Sequence, residues 1–491
     1  MAEPNDEITT RRQRLEHIRA RDIDPYPSTV RRTHTIAEVI ENFERILEQK
    51  ETVTIAGRIL SLRPHGGSTF ANISDGTGTI QLYVKADEIG EDSYQKLEDI
   101  DIADFVSCVG NLFLTKRGEK TLLLNAAPTV ISKALRPLPE KWHGLSDIEQ
   151  RYRKRYLDLI ANPKAKEIVY LRAKLLRELR TFLDGKGYLE VDTPILQSIP
   201  GGANARPFVT HHNTLNVDLY LRIAPELYLK QLLVGGIPKV YEIARCFRNE
   251  GMDPTHNPEF TQIEMYAAYE NYEDYMRMVE ELLSAVVPAI CGSLIVSVDG
   301  QSIDFTPPYK RVDWNETLNA ALGEKTQNLS DDNLRKLLKK KGVDAEPSDG
   351  RGTLLDHAYK KLVRPHIVAP TFFINHPLSL SPLSKTRTDK KDEVERFQLV
   401  VAGGIEMMNG FSELNDPDDQ RRRFEEQEKL RRAGDEEAQR IDESYLEAME
   451  HGMPPAAGIG IGIDRLLTIL TDSASIKEVI LFPTLRPKDS K

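Results

Sequence analysis

Between Thr52 and Ser132 apolar and polar residues alternate in short runs, VTIAGRILSL, TFANISD, TIQLYVK, FVSCVGNLFLT and KTLLLNAAPTVIS. Gly66-Gly67, Asp75-Gly76-Thr77-Gly78 and Arg117-Gly118 break them. Alternation at period two between glycine-rich breaks is the pattern of half-buried strands and turns, and five such runs predict a small barrel. Within TIQLYVK, Ile80, Leu82 and Val84 fall on one face and Thr79, Gln81 and Tyr83 on the other. One face packs and the other is free to bind.

A free barrel face is what OB-folds use to stack and hydrogen-bond single-stranded nucleotides, and other small barrels fit the same pattern. Ahead of the barrel, Ile8, Leu15 and Ile18 lie among basic residues between Asp6 and Arg21, which predicts one amphipathic helix before the turn Asp24-Pro25-Tyr26-Pro27. Its basic face suits either a phosphate backbone or its own protein. After the barrel, ALRPLPEKWHGLSD, with Pro137, Pro139 and Gly144, interrupts both periodicities and reads as a linker. Beyond it helices and strands alternate, including a helical pattern from Lys164 to Leu183 that ends at Gly185 and Gly187. The expected domains are a helical extension over 1–50, a barrel over 51–134, a linker over 135–155 and a large domain over 156–491. That last domain carries a Lys- and Asp-rich helical insertion at about 326–362. The expected fold class is α+β.

A chain of 491 residues exceeds what one core serves. Its 66 basic against 76 acidic residues exclude indiscriminate coating of nucleic acid, so RNA binding has to come from local sites. Cys108, Cys246 and Cys291 are widely spaced in apolar surroundings and suggest neither a disulfide framework nor a zinc site. No run is long and apolar enough to span a bilayer, and the opening residues lack the apolar middle of a secretory signal, so a cytoplasmic protein is expected.

Three segments carry candidate chemistry. In Val240–Tyr266 two strand-like runs flank a loop with Gly251, Asp253-Pro254 and Asn257-Pro258, a long-looped hairpin. Phe260, Gln262, Glu264 and Tyr266 share one face of its second run, with Arg248 and Glu250 at the end of the first. Guanidinium, carboxylates and an aromatic ring suit a substrate that carries phosphate and an amine, or equally a solvent-facing sheet surface. In AAGIGIGIDRLL, Gly458, Gly460 and Gly462 let a ligand approach the backbone before a helix with Arg465. The Rossmann fingerprint and the Walker loop are both absent. In GGIEMMNGFSEL, Asn409, Phe411 and Glu413 share a face with Glu406 just upstream, a spacing that fits Mg²⁺, an ammonium group or plain surface carboxylates.

Together these segments resemble the signature motifs of class II aminoacyl-tRNA synthetases: YLEVDTPIL with Pro194 resembles motif 1, FRNEGMDPTHNPEF with TQIEMY motif 2, and GIGIGIDRL motif 3. GGANARPF, RIAPELYLK and NGFSELNDP resemble the lysine-specific, bacterial-type family, and the likeness runs over nearly the whole chain. The resemblance implies an N-terminal OB-fold anticodon domain, an antiparallel sheet flanked by helices, and a homodimer built partly through motif 1. It implies ATP, L-lysine and lysine tRNA as substrates, with Mg²⁺. By the same resemblance the lysine carboxylate would attack the α-phosphate of ATP and release pyrophosphate, and the lysyl group would then pass from the adenylate to the terminal adenosine of the tRNA, releasing AMP.

By that likeness Arg248 and Arg465 are the catalytic residues. Glu250, His256, Asn257, Phe260, Glu406 and Gly462 would join them around ATP, with Glu406 as the metal ligand. Gly202 and Glu226 would hold the lysine α-amine, Asn409 the carboxylate, Glu264, Tyr266 and Glu413 the ε-ammonium, and Phe411 the stem; Phe70 and Gln81 would touch the anticodon. The chain departs from the family at Gln398, commonly a Mg²⁺-binding glutamate, at one extra residue before Glu406, and at Ala127, sometimes a glutamate. The weighed rivals are a synthetase for another amino acid, which Glu226, Glu264 and Glu413 disfavour, and a non-catalytic RNA-binding relative, which would be expected to lose Arg248 and Arg465.

Overall fold

The computed structural model describes residues 4–139, 145, 147–346, 349–432 and 438–487. The chain divides into two compact units, Met1–Ser146 and Asp147–Lys491.

In the first unit the alternating runs become β1 (Thr52–His65), β2 (Ser68–Ser74), β3 (Thr79–Lys85), β4 (Phe105–Leu114), β5 (Lys120–Leu124) and β6 (Thr129–Ser132). Ile80, Leu82 and Val84 join Ile55, Ile73, Val106 and Leu122 in the core, as period two requires. The order β1-β2-β3-β5-β4, with β4 paired back onto β1, closes the barrel. KTLLLNAAPTVIS, expected as one strand, forms two. Pro128 has no amide hydrogen and interrupts the ladder. β5 pairs along Gly110–Leu114 of β4, whereas β6 pairs with its beginning, Phe105–Ser107.

The basic N-terminal segment forms α1 (Pro4–Ala20), with Leu15 and Ile18 buried. Of its two readings, the one in which the helix lies on its own protein is realised. Arg11 donates to the Ile102 and Ala134 carbonyls, Arg14 pairs with Asp101, and Arg21 pairs with Asp99. Beneath them the Lys133 ammonium is wholly buried and donates to the Asp99 carbonyl, Asp101 and Asp104 at 2.6–2.7 Å.

The second unit opens with a short helix, Ile148–Arg153, capped by Asp147 inside the stretch expected as linker; residues 140–144 and 146 of that stretch lie outside the described residues. Its centre is an eight-stranded sheet. The strands are β7 (Leu189–Glu190), β8 (Lys239–Phe247), β9 (Glu259–Ala268), β10 (Lys310–Asp313), β11 (Thr371–Ile374), β12 (Arg396–Val401), β13 (Ile405–Ser412) and β14 (Ala456–Gly462), in the order β10-β11-β12-β13-β14-β9-β8-β7. The central ladders are antiparallel and the outermost pair at each edge is parallel.

One sheet face packs on α2 (Pro163–Gly185), α3 (Tyr272–Cys291) and α4 (Ile463–Leu470) through a core that includes Leu179, Val279, Ile263, Met265, Ile459, Ile461 and Leu466. The Lys- and Asp-rich stretch is helical, and its core begins earlier than the sequence suggested, at Trp314, which packs with Leu334, Leu338, Leu354 and Tyr359. Of the cysteines, Cys108 and Cys246 are buried and Cys291 half-buried, all free. Among the described residues no helix is long and apolar enough to cross a membrane.

Replacing Lys133 by Met leaves two buried carboxylates without their ammonium, a change that costs about 3–5 kcal/mol. Hydrogen exchange on the full chain should then show β4 and β6 amides opening at least about 100-fold faster, while amides of the eight-stranded sheet keep their rates.

Candidate active site

The hairpin of β8 and β9 pairs Phe247 with Glu259 and Glu242 with Glu264. Ile263 and Met265 therefore point into the helix-side core, and Phe260, Gln262, Glu264 and Tyr266 face the other way, onto a cavity of about 390 Å³. Beside them β14 sets Gly460 opposite Glu264 and Gly458 opposite Tyr266. A Cβ at Gly458 would lie 2.2 Å from the Tyr266 ring and 2.5 Å from Glu413 Oε1, so only glycine fits there. At Gly460 the nearest atom would be 3.9 Å away, which leaves that space to a ligand.

On β13, strict alternation would turn Glu406 away from Asn409. Leu399 pairs with Met408 but Val400 pairs with Glu406, so Met407 is an extra residue. This bulge brings Glu406 onto the cavity wall with Asn409 and Phe411. Gln398 faces the same space, opposite Asn409.

One end of the cavity is cationic. The Arg248 amide donates to the Pro258 carbonyl at 2.9 Å and closes the hairpin loop; its guanidinium lies 5.1 Å from the Phe260 ring centre, and its Nε is buried without a hydrogen-bond partner. Arg465, in the first turn of α4, donates to the Glu406 carbonyl at 3.1 Å and sits 3.1 Å from His256 Nε2, whose ring bonds Asp253 at 2.8 Å. The buried Asp464 accepts the Thr261 amide at 2.8 Å and pairs with Arg172, which locks β9 to α4 and fixes Phe260 relative to Arg465. Asn257 braces the loop by donating to the Glu259 carbonyl and accepting the Thr484 amide. Burial works against the charge on Glu406, but Arg364, Arg465 and Arg396 outweigh it and hold its carboxyl below the ordinary value.

The other end is acidic and aromatic. Glu226, at the start of helix α5 (Glu226–Val234), reaches the cavity with Glu264 and Tyr266, the Tyr266 hydroxyl donating to Glu264 at 3.0 Å and the Gln262 amide at 2.6 Å. Burial, then the charge of Glu226, push the Glu264 carboxyl up to about 8. Gly202 adopts φ +87°, and a Cβ there would meet the Glu226 Cβ at 2.7 Å. Arg396 donates to Asn409 Oδ1 at 2.8 Å, so the Asn409 NH₂ group is the part left to donate into the cavity.

Of the residues singled out from sequence, Gly202, Glu226, Arg248, Glu250, His256, Asn257, Phe260, Glu264, Tyr266, Glu406, Asn409, Phe411, Gly462 and Arg465 line this one cavity. Glu413 does not. It lies behind the wall, buried and paired with Lys230. Phe70 and Gln81 belong to the barrel's outer face, where Phe70 stacks on Tyr83 at 4.3 Å and Gln81 accepts the Thr121 hydroxyl at 3.0 Å. Sequence reasoning passed over Arg396, Asp464 and Lys230. The signals were there: a charge opening the apolar run RFQLVV, an acid beside Arg465, and a lysine four residues after Glu226 on an otherwise apolar helix.

This combination of sheet and cavity has known counterparts. Residues 147–486 match the model of the class II tRNA synthetases (D, K and N), and residues 53–127 match that of OB-fold nucleic acid binding domains. The chain belongs to the class II tRNA synthetases (D, K and N). Curated relatives named lysine–tRNA ligase are similar over nearly their whole length: that of Pelotomaculum thermopropionicum is 49% identical over 99% of this chain and 96% of its own, and that of Carboxydothermus hydrogenoformans 47% identical over 99% of both. That of Moorella thermoacetica is 46% identical, again over 99% of both.

Substituting Gly458 by Ala would drive a methyl group into Tyr266 and Glu413, an overpacking that costs about 1–3 kcal/mol. In ATP–pyrophosphate exchange the amino-acid KM should rise by about 5- to 150-fold with the ATP KM unchanged. A matching rise in both would show that the two ends of the cavity are not separable.

Proposed function

We propose that this chain is a lysine–tRNA ligase: it activates L-lysine with ATP to lysyl-adenylate and pyrophosphate, then transfers lysine to the 3′-terminal adenosine of lysine tRNA. The observation that carries this reading is the polarity of the cavity, arginines at one end and carboxylates at the other, in a chain whose full-length relatives bear that name.

At the cationic end Arg248 bridges the lysine carboxylate and the α-phosphate. Its unpartnered Nε supports this role, because a buried charged donor is costly until an acceptor arrives. Phe260 stacks on adenine, Glu250 reads its amine, and Arg465, with His256 beside it, covers the other side and reaches the terminal phosphate; Asn257 and Gly462 complete the nucleotide's surroundings. Fixed guanidinium groups stabilise charge that grows in the transition state, so the reaction runs on positioning and electrostatics. At the acidic end Glu226 and Gly202 hold the α-amine, Asn409 donates to the carboxylate, Phe411 lines the stem, and Glu264 and Tyr266 select the ε-ammonium, with Glu413 adding its charge from behind the wall. Aspartate would meet like charge there.

The residues present also suit Mg²⁺. Among the described residues no three His, Cys, Asp or Glu form a cage, but Glu406 is held ionised on the cavity wall beside the Gln398 amide. Mg²⁺ commonly takes one or two carboxylates and completes its shell with phosphate and water. When bound it would neutralise phosphate charge, and Glu406 would anchor it. Phe70 and Gln81, on a barrel face with Tyr83, read the anticodon, and the chain works in the cytoplasm. Exposed Leu189, Ile195, Leu196, Val209, Leu215 and Val217 cluster in and after the motif 1 segment and support a homodimer through that edge.

Three measurements test this. ATP–pyrophosphate exchange should depend on lysine and not on aspartate; exchange with aspartate alone overturns the reading. Arg248→Ala should lower lysine-dependent exchange by at least about 100-fold, with the far-UV spectrum unchanged. Substantial activity in that variant removes Arg248 from the chemistry. Because lysine favours an ionised Glu264, whose carboxyl sits at about 8, lysine affinity should rise about tenfold per pH unit below that value and level off above it; a flat profile between pH 6 and 8 contradicts the role of Glu264.

A further inference from the structure

The ammonium of Lys230 is wholly buried at the acidic end of the cavity. It donates to Glu226 at 2.5 Å, pairs with Glu413, and lies 5.2 Å from the Phe411 ring centre and 5.9 Å from that of Tyr266. These partners are the groups assigned above to the two amines and the stem of lysine. Lys230 itself does not line the cavity.

We propose that Lys230 is a positioning residue of the amino-acid pocket, a resident ammonium that joins Glu226 to Glu413 and matches the pocket's charge to a substrate with two amines. The proposal rests on the lysine reading given above. Fully ionised, Glu226, Glu264 and Glu413 with Lys230 carry two negative charges, and lysine brings two ammonium groups, its carboxylate being met by Arg248. Without Lys230 the same pocket would carry three, and the empty pocket would hold an additional proton on its carboxylates until lysine displaces it.

The surroundings favour a permanent charge on Lys230. Burial pulls against it, but Glu226 and Glu413 outweigh burial and hold the ammonium firmly protonated. Tyr445 faces it from the helix Glu443–Glu450, Tyr266 and Glu264 from β9, while Arg396 of β12 and Arg248 act on the carboxylates from further along the cavity. The ammonium pairs with one Glu413 oxygen, and Glu413 itself stands behind the cavity wall. Lys230 can therefore set the charge that Glu413 contributes to the pocket from behind that wall.

The test compares wild type, Lys230→Met and Lys230→Arg as full-length chains. Lys230→Met should raise the lysine KM by about 10- to 100-fold and leave the ATP KM in place. Titration calorimetry at pH 8.5, in buffers of different ionisation enthalpy, should show this variant releasing about half a proton or more per bound lysine beyond wild type, whose Glu264 is already mostly ionised there. The amines of free lysine titrate equally in all three, so the difference between variants is the reading. Lys230→Arg, which keeps the charge, should return the proton count to that of wild type. A Lys230→Met chain with wild-type lysine KM and proton count, whatever its thermal stability, overturns the proposal. Should Lys230→Met not fold, a Lys230→Arg chain that releases the extra proton overturns it instead. Absence of lysine-dependent exchange in wild type would sink the lysine reading itself, a separate result.

Discussion

A guanidinium whose Nε is buried and meets no acceptor is an unfinished interaction, and the catalytic unit is arranged around it. Arg248 stays where it is because its amide closes the β8–β9 loop on Pro258 and its side chain lies over Phe260. Leaving a buried charged donor unmade costs more than an ordinary lost hydrogen bond. A ligand that supplies carboxylate and phosphate oxygens removes that cost, and the stabilisation grows as negative charge gathers on those oxygens.

The rest of the sheet keeps this group aimed. Asp464 ties β9 to α4 and Arg172, so the ring of Phe260 and the guanidinium of Arg465 are held in one frame. Glycines on β14 hold the floor flat, and the bulge at Met407 turns Glu406 inward among arginines. Charge is thus sorted along one cavity, cationic where phosphate is expected and acidic where amines are. A substrate with a negative head and a positive tail is the complement of that gradient.

Much of this was legible in the residues. Period two gave the buried face of β3 and the cavity face of β9 correctly, because those faces depend only on which side chains can leave water. The glycine run before Arg465 signalled a close approach to the backbone, and the structure shows why at Gly458. Other features were out of reach of a periodic reading. The split of KTLLLNAAPTVIS follows from which part of β4 each half pairs with, a tertiary choice. The inward turn of Glu406 depends on a register shift that alternation alone contradicts. Lys230 reads as an ordinary helix residue until its partners, Glu226 one turn back and Glu413 on a distant strand, are brought beside it.

The most direct test is a crystal structure with a non-hydrolysable lysyl-adenylate analogue. The Arg248 guanidinium should lie about 2.7–3.1 Å from both the acyl oxygen and a phosphate oxygen, with the ε-ammonium against Glu264 and Tyr266. An analogue bound with its amine away from Glu264, or with Arg248 turned from the phosphate, would contradict the proposed site.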